Sequence, residues 1–313
     1  MTPQKSKGRK WLTGRSRLVV AIGVVLFLVL DVLLIGYALT RPATGGNDPL
    51  APIPTFGATS APTPTPTPTP PPEPLPESAP RFMVSVDGTI GWRSTAGSCP
   101  GEAAVIERTV DGGASWEHTP VDDLTVHQVL SLSGTESTVQ AVARVEGGCS
   151  VDLLASFTEG DFWSQYPERV AEFSFIDPTS PSVLQIGGEA TEAPCASPRE
   201  LRTGSAAIGV VCDGALFEML DGSTDWTSIA IPGLLAIAPN DTGYALAVAG
   251  VEGCAGLSFQ LLPLLSEGVG PTPISCVSDV ELAQVTLAQS GESVWLWGGD
   301  RVLVSQDGGA TWA

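Results

Sequence analysis

The sequence predicts an all-β chain: a β-propeller of about five four-stranded antiparallel blades, preceded by one transmembrane helix and a proline-rich stalk. Three observations predict it. An eight-residue box ending in tryptophan recurs four times, and short alternating runs split by Gly, Asn, Asp and Pro precede the copies. An apolar run of 22 residues, 18–39, lies near the N-terminus. A stretch dense in Pro and Thr separates the two.

Residues 1–17 hold six basic residues and no acid. The apolar run that follows reaches roughly 33 Å as a helix, enough for a hydrocarbon core of about 30 Å. The basic excess before it places residues 1–17 in the cytoplasm and everything after the helix outside. The run is longer than a signal-peptide core, and Tyr37-Ala38-Leu39-Thr40-Arg41 is a poor cleavage site. The expectation is therefore an uncleaved signal anchor at the cell membrane. Asp31 near its middle is an intramembrane polar group. Two readings stand for it: a charge offset by its Leu, Val and Ile neighbours, or a contact with another helix.

Residues 40–80 form the Pro/Thr-rich linker, including Pro62-Thr63-Pro64-Thr65-Pro66. Such a segment cannot bury a core and favours polyproline II. The expected role is a semi-rigid spacer. From Pro42 onward 33 acids stand against eight arginines and no lysine, which leaves that part at −25. Such a surface repels phosphate backbones, so no nucleic-acid partner is expected. The missing lysine and the wealth of Ala, Val and Gly fit a bacterial cell-envelope protein.

The ectodomain, 81–313, carries the boxes. Thr109-Val110-Asp111-Gly112-Gly113-Ala114-Ser115-Trp116 and Ser305-Gln306-Asp307-Gly308-Gly309-Ala310-Thr311-Trp312 are full copies. Ser156 to Trp163 is weaker, with Thr158 in the Asp place and Gly160 kept; Met219 to Trp226 is weaker still, keeping Asp221 and Trp226. Each box has hairpin-turn chemistry. The Asp accepts hydrogen bonds from its own turn, Gly supplies positive φ, and Trp fills the space between neighbouring hairpins. These residues are expected to build the fold.

Paired runs such as 128–132 with 138–145, and 234–238 with 244–249, read as the first two strands of a blade. A third strand leads into the box and a fourth leaves it. Five blades result, near 81–120, 121–169, 170–232, 233–277 and 278–313, with an insert around 189–202 that could hide a sixth. The fourth has only Ser266-Glu267-Gly268 in place of a box. The last outer strand is almost missing; either the ectodomain's first stretch supplies it or the sequence is clipped.

The boxes resemble the Asp-box, or bacterial neuraminidase repeat, of sialidases, sortilin-type receptors and photosystem-assembly-factor-like proteins. The resemblance covers the ectodomain and implies a propeller with the boxes on the blade rim. It does not imply sialidase activity. The Phe-Arg-Ile-Pro motif is absent, Arg81-Phe82 being reversed, and the ectodomain has two tyrosines, Tyr166 on a rim strand and Tyr244, which alone could reach a channel.

Six cysteines all lie beyond the apolar run, and an even count in an oxidising compartment reads as disulfides. Fifteen pairings are possible. The expected set is Cys99–Cys149 between neighbouring blades, with Cys195–Cys212 and Cys254–Cys276 within blades. The Cys-x-x-Cys pairs of a zinc site are missing. His118, His127 and Asp122-Asp123 have no catalytic or metal context. No catalytic, metal or cofactor residue is assigned, and no cofactor is expected. The functional expectation is a membrane-anchored, non-enzymatic binding or scaffold module for a protein or glycan. The alternatives are a cell-surface glycosidase and an assembly factor for a membrane complex.

Overall fold

The computed structural model describes residues 81–313 except Ala96 and Asp122. The basic tail, the apolar run with Asp31 and the Pro/Thr-rich linker lie outside the described residues. Among the described residues, no helix is long and apolar enough to cross a membrane.

Six antiparallel sheets follow one another along the chain. Blade 1 contains β1 (Phe82–Ser85), β2 (Gly91–Ser94), β3 (Ile106–Thr109) and β4 (Glu117–His118). Blade 2 contains β5 (Val126–Gly134), β6 (Val139–Val145), β7 (Ser150–Ser156) and β8 (Ser164–Gln165). A 3-10 turn, Pro167–Glu172, leads to blade 3: β9 (Phe175–Ile176), β10 (Val183–Ile186) and β11 (Glu189–Glu192). Blade 4 holds β12 (Glu200–Thr203), β13 (Ala207–Cys212), β14 (Ala215–Leu220) and β15 (Thr227–Ala230). Blade 5 holds β16 (Leu234–Asn240), β17 (Gly243–Ala249), β18 (Leu257–Pro263) and β19 (Thr272–Val277). Blade 6 holds β20 (Thr286–Ser290), β21 (Ser293–Gly298) and β22 (Arg301–Ser305), and Ala313 exchanges both backbone hydrogen bonds with Val304.

The first strands pack around a common axis in the order β1, β5, β9, β12, β16, β20, and β20 returns to β1. The fold is therefore a closed β-propeller of six blades, not five. The stretch 170–232 is two blades, and the supposed insert supplies β11 and β12. Blades 3 and 6 also depart from the expected four strands, with three each.

Burial explains the strand sequences. Middle strands are covered on both faces by neighbouring blades, so β17 and β21 are apolar along nearly their whole length rather than alternating. Outer strand β4 faces water, and β15 does so except at Ile229, which packs into the junction with blade 5. One apolar cluster fills each junction between successive blades. Each fully buried Leu, Val or Phe there contributes about 1.5–3 kcal/mol. The closing junction, blade 6 to blade 1, adds directed bonds. Trp295 Nε1 donates to the Asp87 carbonyl at 3.0 Å, and the Ser290 and Ser293 hydroxyls donate to the carbonyls of Val86 and Asp87. Arg93 lies between the Trp116 and Trp297 rings, 4.2 and 4.7 Å from their centroids.

Candidate functional site

The boxes follow the third strand of blades 1, 2, 4 and 6 and, in blades 1, 2 and 4, lead into the fourth. In blade 6 the Ser305 hydroxyl donates to Asp307 Oδ1 at 2.8 Å and accepts the Gly309 amide at 2.8 Å; Thr311 donates its amide and hydroxyl to Asp307 at 2.8 and 2.7 Å. Blade 1 repeats this through Thr109, Asp111, Gly113 and Ser115. Blade 2 keeps the backbone half: Gly160 N–H to the Ser156 hydroxyl, and Phe162 N–H to the Thr158 hydroxyl. Blade 4 has Met219 where the hydroxyl should be, and Asp221 gains none of these bonds. Hydrogen bonds from Ser115 in one box, and from the Thr311 amide and hydroxyl in the other, hold the Asp111 and Asp307 carboxyls down at about 2.

The boxes of blades 1, 2 and 6 each seat on the preceding blade. A Cβ on Gly113 would press on Val302 and Trp295 of blade 6, one on Gly160 would meet Thr119 and Trp92 of blade 1, and one on Gly309 would overlap the Phe259 ring of blade 5. All three glycines have φ between +85° and +91°. The terminal tryptophans follow the same rule: Trp116 meets Trp295 edge-on at 6.2 Å, and Trp312 meets Phe259 at 5.3 Å. The box residues are thus junction parts, remote from the axis.

The axial cavity has a volume of about 340 Å³. Its wall combines Phe82, Leu132 and Phe173 with the hydroxyls of Ser85, Ser131 and Ser133. Arg202, on β12, crosses it. Its Nη2 donates to the Thr286 hydroxyl on β20 at 2.7 Å, its Nε to Glu200 at 2.8 Å, and its guanidinium lies 5.2 Å from the Phe82 ring centroid. Glu200 in turn accepts the Ile237 amide of blade 5. Glu172, also on the wall, is doubly bonded to Arg169, which pulls its carboxyl below the usual range. No spacing in the sequence singles out Arg202, since Thr286 lies 84 residues away.

A second, open cavity of about 490 Å³ lies where three first-to-second-strand turns meet. Thr203 and Ser205 of blade 4, Asn240, Asp241 and Thr242 of blade 5, and Gln289 of blade 6 line it. Asn240 donates to Gln289 at 3.1 Å and its Oδ1 accepts both the amide and the hydroxyl of Thr242, so the turn geometry is fixed from within. Asp87 with Thr89 and Asp177 with Thr179 build the same turn in blades 1 and 3. That recurring Asx-x-Thr spacing was available in the sequence as a blade marker.

Tyr244 does not reach the channel. It is buried between blades 4 and 5 beside Glu218, over Gly209. Burial first, and the Glu218 charge second, raise its hydroxyl pKa. Burial also raises the Glu218 carboxyl, whose Oε1 accepts the Leu265 amide at 3.0 Å. The three disulfides are Cys99–Cys149, Cys195–Cys212 and Cys254–Cys276. The first joins blades 1 and 2, and the third lies within blade 5. The second ties the connection out of blade 3 to β13 of blade 4, so with six blades it spans a junction rather than one blade. Among the described residues no group of His, Cys, Asp and Glu is arranged to hold a metal ion.

No protein-family model and no curated protein matches the chain. Among solved structures it is similar to the Pan2 WD40 domain of Neurospora crassa, at 8% identity over 73% of this chain and 76% of that one, TM-score 0.42. It is also similar to PorZ of Porphyromonas gingivalis, described as an essential bacterial surface component of the type-IX secretion system. That match has 12% identity over 76% of this chain and 33% of that one, TM-score 0.40.

Proposed function

We propose that the chain is a membrane-tethered, extracytoplasmic binding propeller of the Asp-box superfamily, which holds a protein or glycan ligand without transforming it. The observation that carries the reading is the open cavity at the turns of blades 4, 5 and 6. It presents hydroxyls, amides and one carboxylate on backbone that is already internally braced. The charged groups at the axis support it too, because Arg202, Glu200 and Glu172 are engaged with one another's blades or neighbours. Three disulfides suit an oxidising compartment. The basic residues before the 22-residue apolar run favour a cytoplasmic N-terminus.

The test is retention of envelope glycans and envelope proteins by the full-length protein, against Asp241→Ala and Gln289→Ala variants. The reading expects a ligand recovered unchanged and lost at least tenfold from both variants. Cleaved glycan would replace it with the hydrolase alternative. Retention indifferent to both variants would remove the cavity from the site.

A further inference from the structure

We infer that the blade 2 box hairpin is a protein-docking surface, anchored by Phe157 and Phe162, for a partner that presents an apolar pocket with a basic rim. The inference rests on the binding-module reading and places a macromolecular contact away from the axial cavities.

The hairpin breaks its own local rule. In the boxes of blades 1 and 6 the seventh position is Ser115 or Thr311, and its hydroxyl closes onto the box Asp. In blade 2 that position is Phe162. The turn is still held by Gly160 N–H to Ser156, Phe162 N–H to Thr158 and Trp163 Nε1 to the Gly160 carbonyl. The fold therefore asks nothing of the Phe162 ring, which stands 71% exposed. Phe157, at the second position, is 54% exposed. Exposed aromatic rings that the fold does not use are expected where another surface covers them, and aromatic anchors supply most of the energy in such contacts.

The surroundings select the partner. Phe157 meets Tyr166 edge-on, at 6.3 Å and 84° between planes, so the rings offer a ridge and not a flat platform for sugar stacking. Asp161 in the hairpin and Glu168 just after it are exposed acids. The positive charge nearby is already spent: Arg108 pairs with Glu159 and Arg169 with Glu172. Among the described residues Arg93 and Arg202 are likewise paired, with Glu107 and Glu200, while Arg81, Arg144, Arg199 and Arg301 donate to backbone carbonyls. An apolar ridge in an acidic field complements Lys or Arg around an apolar pocket and repels anionic lipid.

The test is photo-crosslinking in intact cells of the full-length protein. A benzophenone side chain replaces Phe162, with the same group at Val269, an exposed apolar residue of blade 5, as control. The inference expects a protein adduct at 162 at least five times stronger than at 269. The cross-linked peptide should carry Lys or Arg beside apolar residues, and the yield in native membranes should fall at least threefold between low and high salt. Phe162→Thr, the residue type of the blade 6 box, should abolish capture at Phe157 by the same crosslinker and leave the melting temperature unchanged. A glycan or lipid adduct, a salt-insensitive yield, or a melting temperature lowered by Phe162→Thr overturns it. If Asp241→Ala loses ligand while Phe162→Thr loses nothing, the binding reading stands and this surface falls; if neither variant changes retention, both fall.

Discussion

The junction between blades 5 and 6 and the junction between blades 3 and 4 solve one problem with different chemistry. At the first, the box Ser305–Trp312 seats Gly309 and Trp312 against Phe259 and locks its own turn through Asp307. At the second, Trp226 still packs into the junction with Leu184, Leu201 and Val210, but Met219 removes the hydroxyl and Ser223 stands where Gly309 seats in blade 6. There the Cys195–Cys212 disulfide supplies the tie. The tryptophan is thus the part of the box that blade packing needs, and the hydrogen-bonded turn is a means of aiming it that a covalent bond can replace.

The largest effect expected from this contrast is on the tryptophans. Trp312→Ala removes a ring packed on Phe259 whose Nε1 donates to Ser275 and the Gly309 carbonyl, and it should cost about 3–5 kcal/mol, as large aromatic truncations do. Trp226→Ala should cost less, about 3 kcal/mol at the low end of that range, because the disulfide continues to hold the junction. Denaturant midpoints of the two variants check the order. Equal losses would mean that the junctions do not differ in how they are held.

Much of this was legible in the chain. The boxes, the turns and the three cysteine pairs are local or periodic signals, and a tryptophan at each box end marks a repeat that composition alone would not produce. The first two strands of blade 3 were legible as the paired runs 173–176 and 182–186, but the boundary with blade 4 was not, because β11 is exposed along nearly its whole length and leaves no apolar pattern. The axial site was hidden for another reason. Arg202, Glu200, Thr286 and Phe82 come from three blades, and the ring brings them together only when it closes. Glu218 looked like one acid among many; only packing against blade 5 sets it apart.

Removing the disulfide should expose the weaker junction. Cys195→Ala with Cys212→Ala releases a loop with a sequence separation of 17 and should cost about 3 kcal/mol by loop entropy. Amide exchange should then rise first in β10 and β13. Exchange that rises first in blades 5 and 6 would show that the box, not the disulfide, marks the softer joint.

The glycines give a smaller contrast. Gly309→Ala places a methyl group into the Phe259 ring at φ +88°, and overpacking of this kind costs roughly 1–3 kcal/mol. Gly222→Ala meets open space and carries only the strain of φ +73°, about 1 kcal/mol. A similar melting temperature for both would mean that the blade 6 box does not press on blade 5.

The smallest effect is electrostatic and has a defined pH window. The Thr311 amide and hydroxyl and the Ser305 hydroxyl hold the Asp307 carboxyl at about 2, below its unfolded value of about 4. A carboxyl lowered by folding stabilises the native state above its unfolded pKa, and that contribution is lost as pH falls through the folded value. Asp307→Asn should therefore lower the melting temperature at pH 7, with the gap from the parent narrowing between pH 4 and 2. Asp221→Asn, which touches a box already without this bond set, should lower it less at pH 7. A gap that stayed constant down to pH 2 would assign Asp307's role to shape, which Asn preserves poorly, rather than to charge. The box would then aim its tryptophan through the hydroxyl at its first position, which Met219 has already removed from blade 4.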